Sequence, residues 1–164
     1  MPCFLFTYHA HGSWLPDRSR GYVRRKEGIQ VADANMAACY RRNLKQAVVV
    51  FDNRIQAVQI TGVLEACTCL AARCHGIGTD GSHIHLLVSW NSERSWESVS
   101  EAIKSSLTRR LNKQVYRQKW FSKGSSRKRV RDRSHYEYLL TKYLPSHRGL
   151  CWSEFNTTTV TPPQ

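Results

Sequence analysis

The chain reads as an α+β domain, a ferredoxin-like sandwich in which an antiparallel sheet is flanked by helices. Three features predict this. Residues 4–9 form an aromatic run that suits an opening strand. Residues 55–74 and 96–112 carry apolar side chains at helical intervals. Between those two stretches, Asp80-Gly81 is a hairpin turn signal joining two apolar strands. Strand, helix, hairpin, helix is the order of a sheet with helices packed on it.

Taken in order, Phe4, Phe6 and Tyr8 make residues 4–9 a strand. Gly12, Pro16, Asp17, Ser19 and Gly21 give 12–21 a loop composition, and 33–45 fits a short helix. Val48, Val49, Val50 and Phe51 read as a buried strand, broken by Asp52 and Asn53. From Ile55 the apolar residues Val58, Leu64, Ala66, Cys69 and Leu70 predict a helix of about five turns at ~3.6 residues each. Residues 76–79 and 82–90 are the two hairpin strands. Trp96, Val99, Ile103, Leu107 and Leu111 form the stripe of an amphipathic helix, with Lys104, Arg109 and Arg110 off it. A basic Gly/Ser-containing stretch, 119–133, leads to a last helical pattern through Tyr136, Leu139, Leu140 and Tyr143. Residues 1–155 are expected to form a single domain, and the polar 156–164 a disordered tail.

Charge is the loudest global signal. The 164 residues hold 25 Lys plus Arg against 12 Asp plus Glu, a net +13. Such an excess calls for a polyanionic partner, nucleic acid or an anionic membrane surface. No membrane span is expected, because no apolar run approaches about 18 residues. The first residues lack a basic region ahead of their apolar run, so a cytoplasmic, nucleic-acid-binding protein is expected.

Six cysteines allow a zinc reading, with Cys67, Cys69, Cys74 and His75 as the cluster. No second CxxC or HxxxH completes a zinc spacing, and Cys within an apolar helix packs as a small hydrophobe. Core packing is the expected role.

In the strand 82–88, alternation puts His83 and His85 on one face, about 7 Å apart at ~3.3 Å per residue, with Ile84, Leu86 and Val88 on the other. Two imidazoles on a rigid strand suit a divalent metal, though a lone His-x-His is also a common surface pattern. His9 and His11 repeat the spacing where the first strand runs into a glycine loop, and read as structural or DNA-proximal. Near the C-terminus Tyr143 and His147 stand four apart, one helical turn, with Pro145 between them opposing a regular helix. A phenol beside a metal ligand is what a tyrosine nucleophile attacking a phosphate needs. The alternative is a buried tyrosine at a helix end.

These residues resemble a family. His83-Ile-His85-Leu-Leu-Val is similar to the HUH motif of single-tyrosine transposases of bacterial insertion sequences. Tyr143 with His147 resembles their helix-borne tyrosine, followed four residues later by Gln or Asn as third metal ligand. Residues 7–16 and 105–112 are similar to segments of the REP-associated tyrosine transposase branch. The resemblance runs from about Thr7 to Gly149 and departs in one ligand, His147 for an amide.

The resemblance implies a metal-dependent endonuclease and strand transferase acting on single-stranded DNA with hairpin structure. Tyr143 would be the nucleophile, forming a 5′-phosphotyrosine, and His83, His85 and His147 would hold Mg²⁺ or Mn²⁺. Three imidazoles shift the preference from Mg²⁺ toward Mn²⁺ or a softer ion. Tyr138 competes for the nucleophile role, but its i+4 residue, Lys142, is no ligand. Lys104, Arg109, Arg110, Arg127, Lys128, Arg129 and Arg131 become candidates for phosphate contacts or remain solvated charges. Trp120 and Phe121 either stack on an unpaired base or fill core. The alternative function is a non-catalytic nucleic-acid-binding protein retaining the fold. A homodimer is compatible with the resemblance.

Overall fold

The computed structural model describes residues 1–155 except 14, 18, 20, 25 and 26, and the side chains of 23 and 24; the expected tail, 156–164, lies outside the described residues. The architecture is α+β. Five strands form one antiparallel sheet: β1 (Cys3–His9), β4 (Ala72–Thr79), β5 (His83–Trp90), β6 (Ser126–Arg129) and β7 (Cys151–Ser153), in the order β6-β1-β5-β4-β7. β2 (Tyr22–Arg24) and β3 (Gly28–Gln30) form a separate hairpin. The helices are α1 (Ala34–Arg42), α2 (Asn53–Cys69), α3 (Trp96–Gln114) and α4 (Arg133–Tyr138). The run β1-α2-β4-β5-α3-β6, with β1 and β5 central, is the split βαββαβ arrangement of ferredoxin-like sheets.

Each helix starts on a polar cap. Asp33, Asp52, Ser95 and Asp132 accept hydrogen bonds from the backbone N–H groups of Met36, Ile55, Ser98 and His135. The α3 stripe is as expected: Val99, Ile103, Leu107 and Leu111 are all buried. With Ile55, Val63 and Ala66 of α2 they cover the sheet face made by Phe4, Phe6, Tyr8, Ile84, Leu86 and Val88. The opposite face carries a smaller cluster. Leu5 and Leu87 lie under Leu139, Leu140 and Leu144 from the segment after α4. β5 is therefore buried on both faces, and both of its side-chain sets are held rigidly.

Several elements differ from expectation. Residues 48–51 form no strand, though Val49 and Phe51 are buried and Val48 and Val50 exposed. Among the described residues they pair through two backbone bonds, Val49 N to His11 O and Phe51 N to Gly81 O, beyond the end of β1 and without a continuous ladder. α2 stops at Cys69, and Arg73 belongs to β4. The basic stretch includes the edge strand β6, whose four residues are exposed. Such short charged strands give no apolar alternation to detect, and charge on an edge discourages further pairing. The three-residue strands β2, β3 and β7 are equally silent in sequence.

Candidate metal and nucleophile site

The exposed end of β5 meets the chain between α4 and β7. After α4 the helix widens into a π turn, Leu139–Tyr143, then tightens into a 3-10 turn, Leu144–Ser146, that contains Pro145. His147 follows with extended backbone, φ −75° and ψ 143°. As Pro145 suggested, no regular helical turn joins Tyr143 to His147; the 3-10 turn lies between them, yet their rings still meet, with centroids 5.1 Å apart. π turns of this kind are frequent at functional sites.

His83, His85 and His147 converge. One ring nitrogen from each lies within 4.8 Å of the others, making them the one such group of three or more metal-binding side chains among the described residues. The other ring nitrogens are occupied. His85 Nδ1 is 2.7 Å from the Thr7 hydroxyl, His83 Nδ1 is 3.0 Å from an Asp80 carboxylate oxygen, and His147 Nδ1 is 3.1 Å from the Leu144 carbonyl. If each Nδ1 carries the proton, each Nε2 keeps a lone pair, which is the tautomer a metal-binding histidine needs. Burial, then the neighbouring His83, His147 and His9, pull the His85 imidazole down to about 3, so it stays neutral across the physiological range. For Asp80, burial works upward, but hydrogen bonds with His83 and Ser82 prevail and hold its carboxyl well below the usual range. A pre-oriented set of three imidazoles suits a divalent transition ion better than Mg²⁺, which prefers oxygen ligands.

Tyr143 is half-buried at the rim of this cluster, its hydroxyl 3.3 Å from His85 Nε2. Burial, with the nearby Tyr138 and Asp80, raises its pKa, so the phenol is the ground-state form. Tyr138 is 56% exposed, and the ring contacts with His85 and His147 belong to Tyr143.

Two glycines let the segment come this close. A Cβ on Gly78 would stand 2.8 Å from the Leu144 carbonyl and 3.1 Å from His147 Nδ1. One on Gly149 would meet the Gln56 amide oxygen at 2.3 Å and the Thr79 carbonyl at 2.5 Å. The Gln56 amide oxygen in turn accepts from Leu150 N and Thr79 Oγ1, both at 2.8 Å, tying the chain after His147 to the end of β4.

The sequence missed Thr7, Asp80 and His9 as members of this neighbourhood. β1 pairs with β5 so that Thr7 lies opposite His85 and His9 opposite His83, with the His9 and His83 rings 5.6 Å apart. Two-residue alternation of Thr7 with His9 was readable, but the strand register was not. The zinc grouping does not converge: Cys67 and Cys74 are in the main core, Cys69 is exposed, and His75 faces the other side of the sheet.

The basic candidates scatter. Lys104 donates to the carbonyls of Ser122 (2.6 Å) and Gly124, Arg110 pairs with Glu65, and Arg127 stacks 3.7 Å over Trp96. Arg109, Lys128, Arg129 and Arg131 are exposed. Arg109 lines an open groove of about 670 Å³ with Lys119, Lys123, Ser105 and Thr108. Trp120 and Phe121 fill core instead of presenting a stacking face, and Trp120 Nε1 donates to Asn112. No helix among the described residues is long and apolar enough to cross a membrane.

No protein-family model matches the chain, and no curated protein matches it in sequence. Among solved structures it is similar to a REP-associated tyrosine transposase bound to a REP hairpin, with a TM-score of 0.48 and 8% sequence identity. The similarity covers 85% of this chain and 62% of that one, so the chain spans under two thirds of its neighbour's length.

Proposed function

We propose that the protein is a metal-dependent single-stranded DNA endonuclease and strand transferase that acts near hairpins through Tyr143. One observation carries the reading: a half-buried phenol stands 3.3 Å from a ligand nitrogen of a three-imidazole cluster. An oxygen nucleophile beside a cation site is suited to attack on a phosphodiester.

His83, His85 and His147 would hold the ion, whose charge would offset that building on the scissile phosphate. The Tyr143 oxygen forms a bond to phosphorus as its proton passes to water. The bond to the 3′ oxygen breaks, and that oxygen takes up a proton to become a free 3′ hydroxyl. The 5′ phosphate stays on Tyr143 as a diester. Attack by a 3′ hydroxyl on this phosphotyrosine reverses the step, so strand joining needs no nucleotide cofactor. Exposed Arg109, Lys128, Arg129 and Arg131 are among the cations available for the DNA backbone.

The test is incubation with single-stranded hairpin oligonucleotides drawn from the flanks of the protein's own gene, with Mn²⁺. A denaturation-resistant protein–DNA adduct mapped to the peptide holding Tyr143 is the expected result. Tight hairpin binding with no adduct at any Mn²⁺ concentration would make it a non-catalytic binding protein.

A further inference from the structure

A second polar network lies away from the histidine cluster. β4 contains a bulge: Cys74 pairs with Val88 and Gly76 with Leu87, leaving His75 as the extra residue. Cys74 packs in the main core, while His75 points to the other face of the sheet, the one that holds Tyr143, and the bulge puts Gly76 on that face as well. Bulges of this kind re-aim a side chain at the cost of a local break in the ladder. His75 is only 7% exposed, and both its nitrogens are engaged. Nε2 is 2.7 Å from Ser89 Oγ, and Nδ1 is 2.7 Å from Glu154 Oε1 and 3.1 Å from the Tyr136 hydroxyl. Tyr136 also donates to Glu154 Oε1 at 3.2 Å, and Arg73 Nε donates to Glu154 Oε2 at 2.7 Å.

A Ser–His–Glu series invites comparison with a hydrolytic triad. Ser89 is 2% exposed inside the sheet layer, so no substrate reaches its oxygen. The arrangement has a different consequence. Tyr136 lies in α4, before Tyr143, and Glu154 lies just after β7, beyond His147. The two residues are 18 positions apart and meet on one imidazole. Everything between them, including the π turn, the 3-10 turn, Tyr143 and His147, is a loop closed at its base.

We infer that His75, Tyr136 and Glu154 are positioning residues, a polar clasp that closes this loop and so sets where Tyr143 and His147 stand over β5. The inference rests on the metal reading above for its role but not for its geometry. Irregular helical turns have weaker internal hydrogen bonding than an α-helix, so the segment depends on its two anchored ends. Leu139, Leu140 and Leu144 press it onto the sheet, while the clasp fixes its rotation and register. Burial, then the adjacent Glu154 carboxylate, push the Tyr136 phenol up to about 12, so it remains a donor at any working pH.

Tyr136→Phe in the full-length protein removes one hydroxyl and keeps the ring. Backbone hydrogen exchange should rise at 139–147 and stay unchanged in β1 and β5. Mn²⁺ affinity by calorimetry should fall about tenfold, the lower range for residues that hold a metal ligand's support. The same change on a His147→Ala background should cost nothing further, because the clasp acts through His147. Glu154→Gln, which keeps an acceptor oxygen for Tyr136, should fall between wild type and Tyr136→Phe. Unchanged exchange at 139–147, exchange raised throughout the sheet, or an equal affinity loss on the His147→Ala background would each overturn the clasp. A wild-type protein that binds no Mn²⁺ would sink the metal reading instead. In that case a rise in exchange confined to 139–147 would still uphold the clasp, and its absence would end it.

Discussion

The Tyr143 hydroxyl stands 3.3 Å from Nε2 of His85, so in the proposed mechanism the phenol and the metal ion would compete for one nitrogen lone pair. When Thr7 accepts the His85 Nδ1 proton, Nε2 can only accept. The phenol then donates to it whenever no ion is bound there, and metal binding would displace that hydrogen bond.

Tyr143→Phe should therefore abolish the DNA adduct and yet tighten Mn²⁺ binding. Losing a competing bond of roughly 0.5–1.5 kcal/mol predicts an affinity gain of about twofold to tenfold. Calorimetry beside an adduct gel checks both halves, and weaker Mn²⁺ binding would contradict the shared lone pair. Tyr138→Phe, on an exposed residue, is the matched control and should change neither.

Thr7 and Asp80 hold the Nδ1 side of the strand ligands. Thr7→Val and Asp80→Asn should each weaken Mn²⁺ binding by about 10- to 100-fold, while His83→Ala or His85→Ala should remove adduct formation outright. Hairpin binding should survive in all four, since affinity comes mainly from phosphate contacts. Equal loss of DNA binding and cleavage would instead indicate damage to the fold.

Gly78→Ala tests the close approach of the third ligand. The added methyl meets the Leu144 carbonyl at 2.8 Å, a backbone atom that cannot swing aside. A stability loss of about 1–3 kcal/mol is expected from overpacking, together with weaker Mn²⁺ binding as His147 is pushed outward. Denaturant melting and calorimetry read the two effects separately.

Glu154 supplies a pH signature. Burial tends to raise its pKa, but hydrogen bonds from His75 and Arg73 outweigh burial and hold the carboxyl below its ordinary value. A depressed folded-state pKa means its stabilising contribution is complete above the unfolded value, about 4.3, and is lost as pH falls through the folded one. Glu154→Gln should destabilise the protein at neutral pH and flatten part of its acid unfolding below about pH 4. An unchanged acid limb would contradict the pairing.

Salt dependence separates anchoring cations from DNA-facing ones. Each phosphate contact contributes a slope of about −0.7 in log affinity against log salt for single strands. Lys128→Ala should reduce the slope by about that amount if it meets DNA. Lys104→Ala should lower thermal stability with little change in slope, because its ammonium is held by the Ser122 and Gly124 carbonyls.

The sequence by itself determined much of the framework. Two-residue alternation placed His83 and His85 together on β5, and the 3.6-residue stripe of α3 included its four buried apolar side chains, Val99, Ile103, Leu107 and Leu111. These are local periodicities, and a local period is legible without knowing what lies across from it. Tertiary structure alone decided the rest. The pairing register of β1 with β5 brought Thr7 and His9 to the site, and a bulge put the sequence neighbours His75 and Gly76 on the same face of the sheet. The turn 80–83 aimed Asp80 at His83. Above all, the packing of Leu144 against Gly76 and Gly78 carried Tyr143 and His147 onto the sheet through a π turn that no helical spacing describes. Contacts across tens of residues depend on register and close approach, and neither leaves a period in the chain.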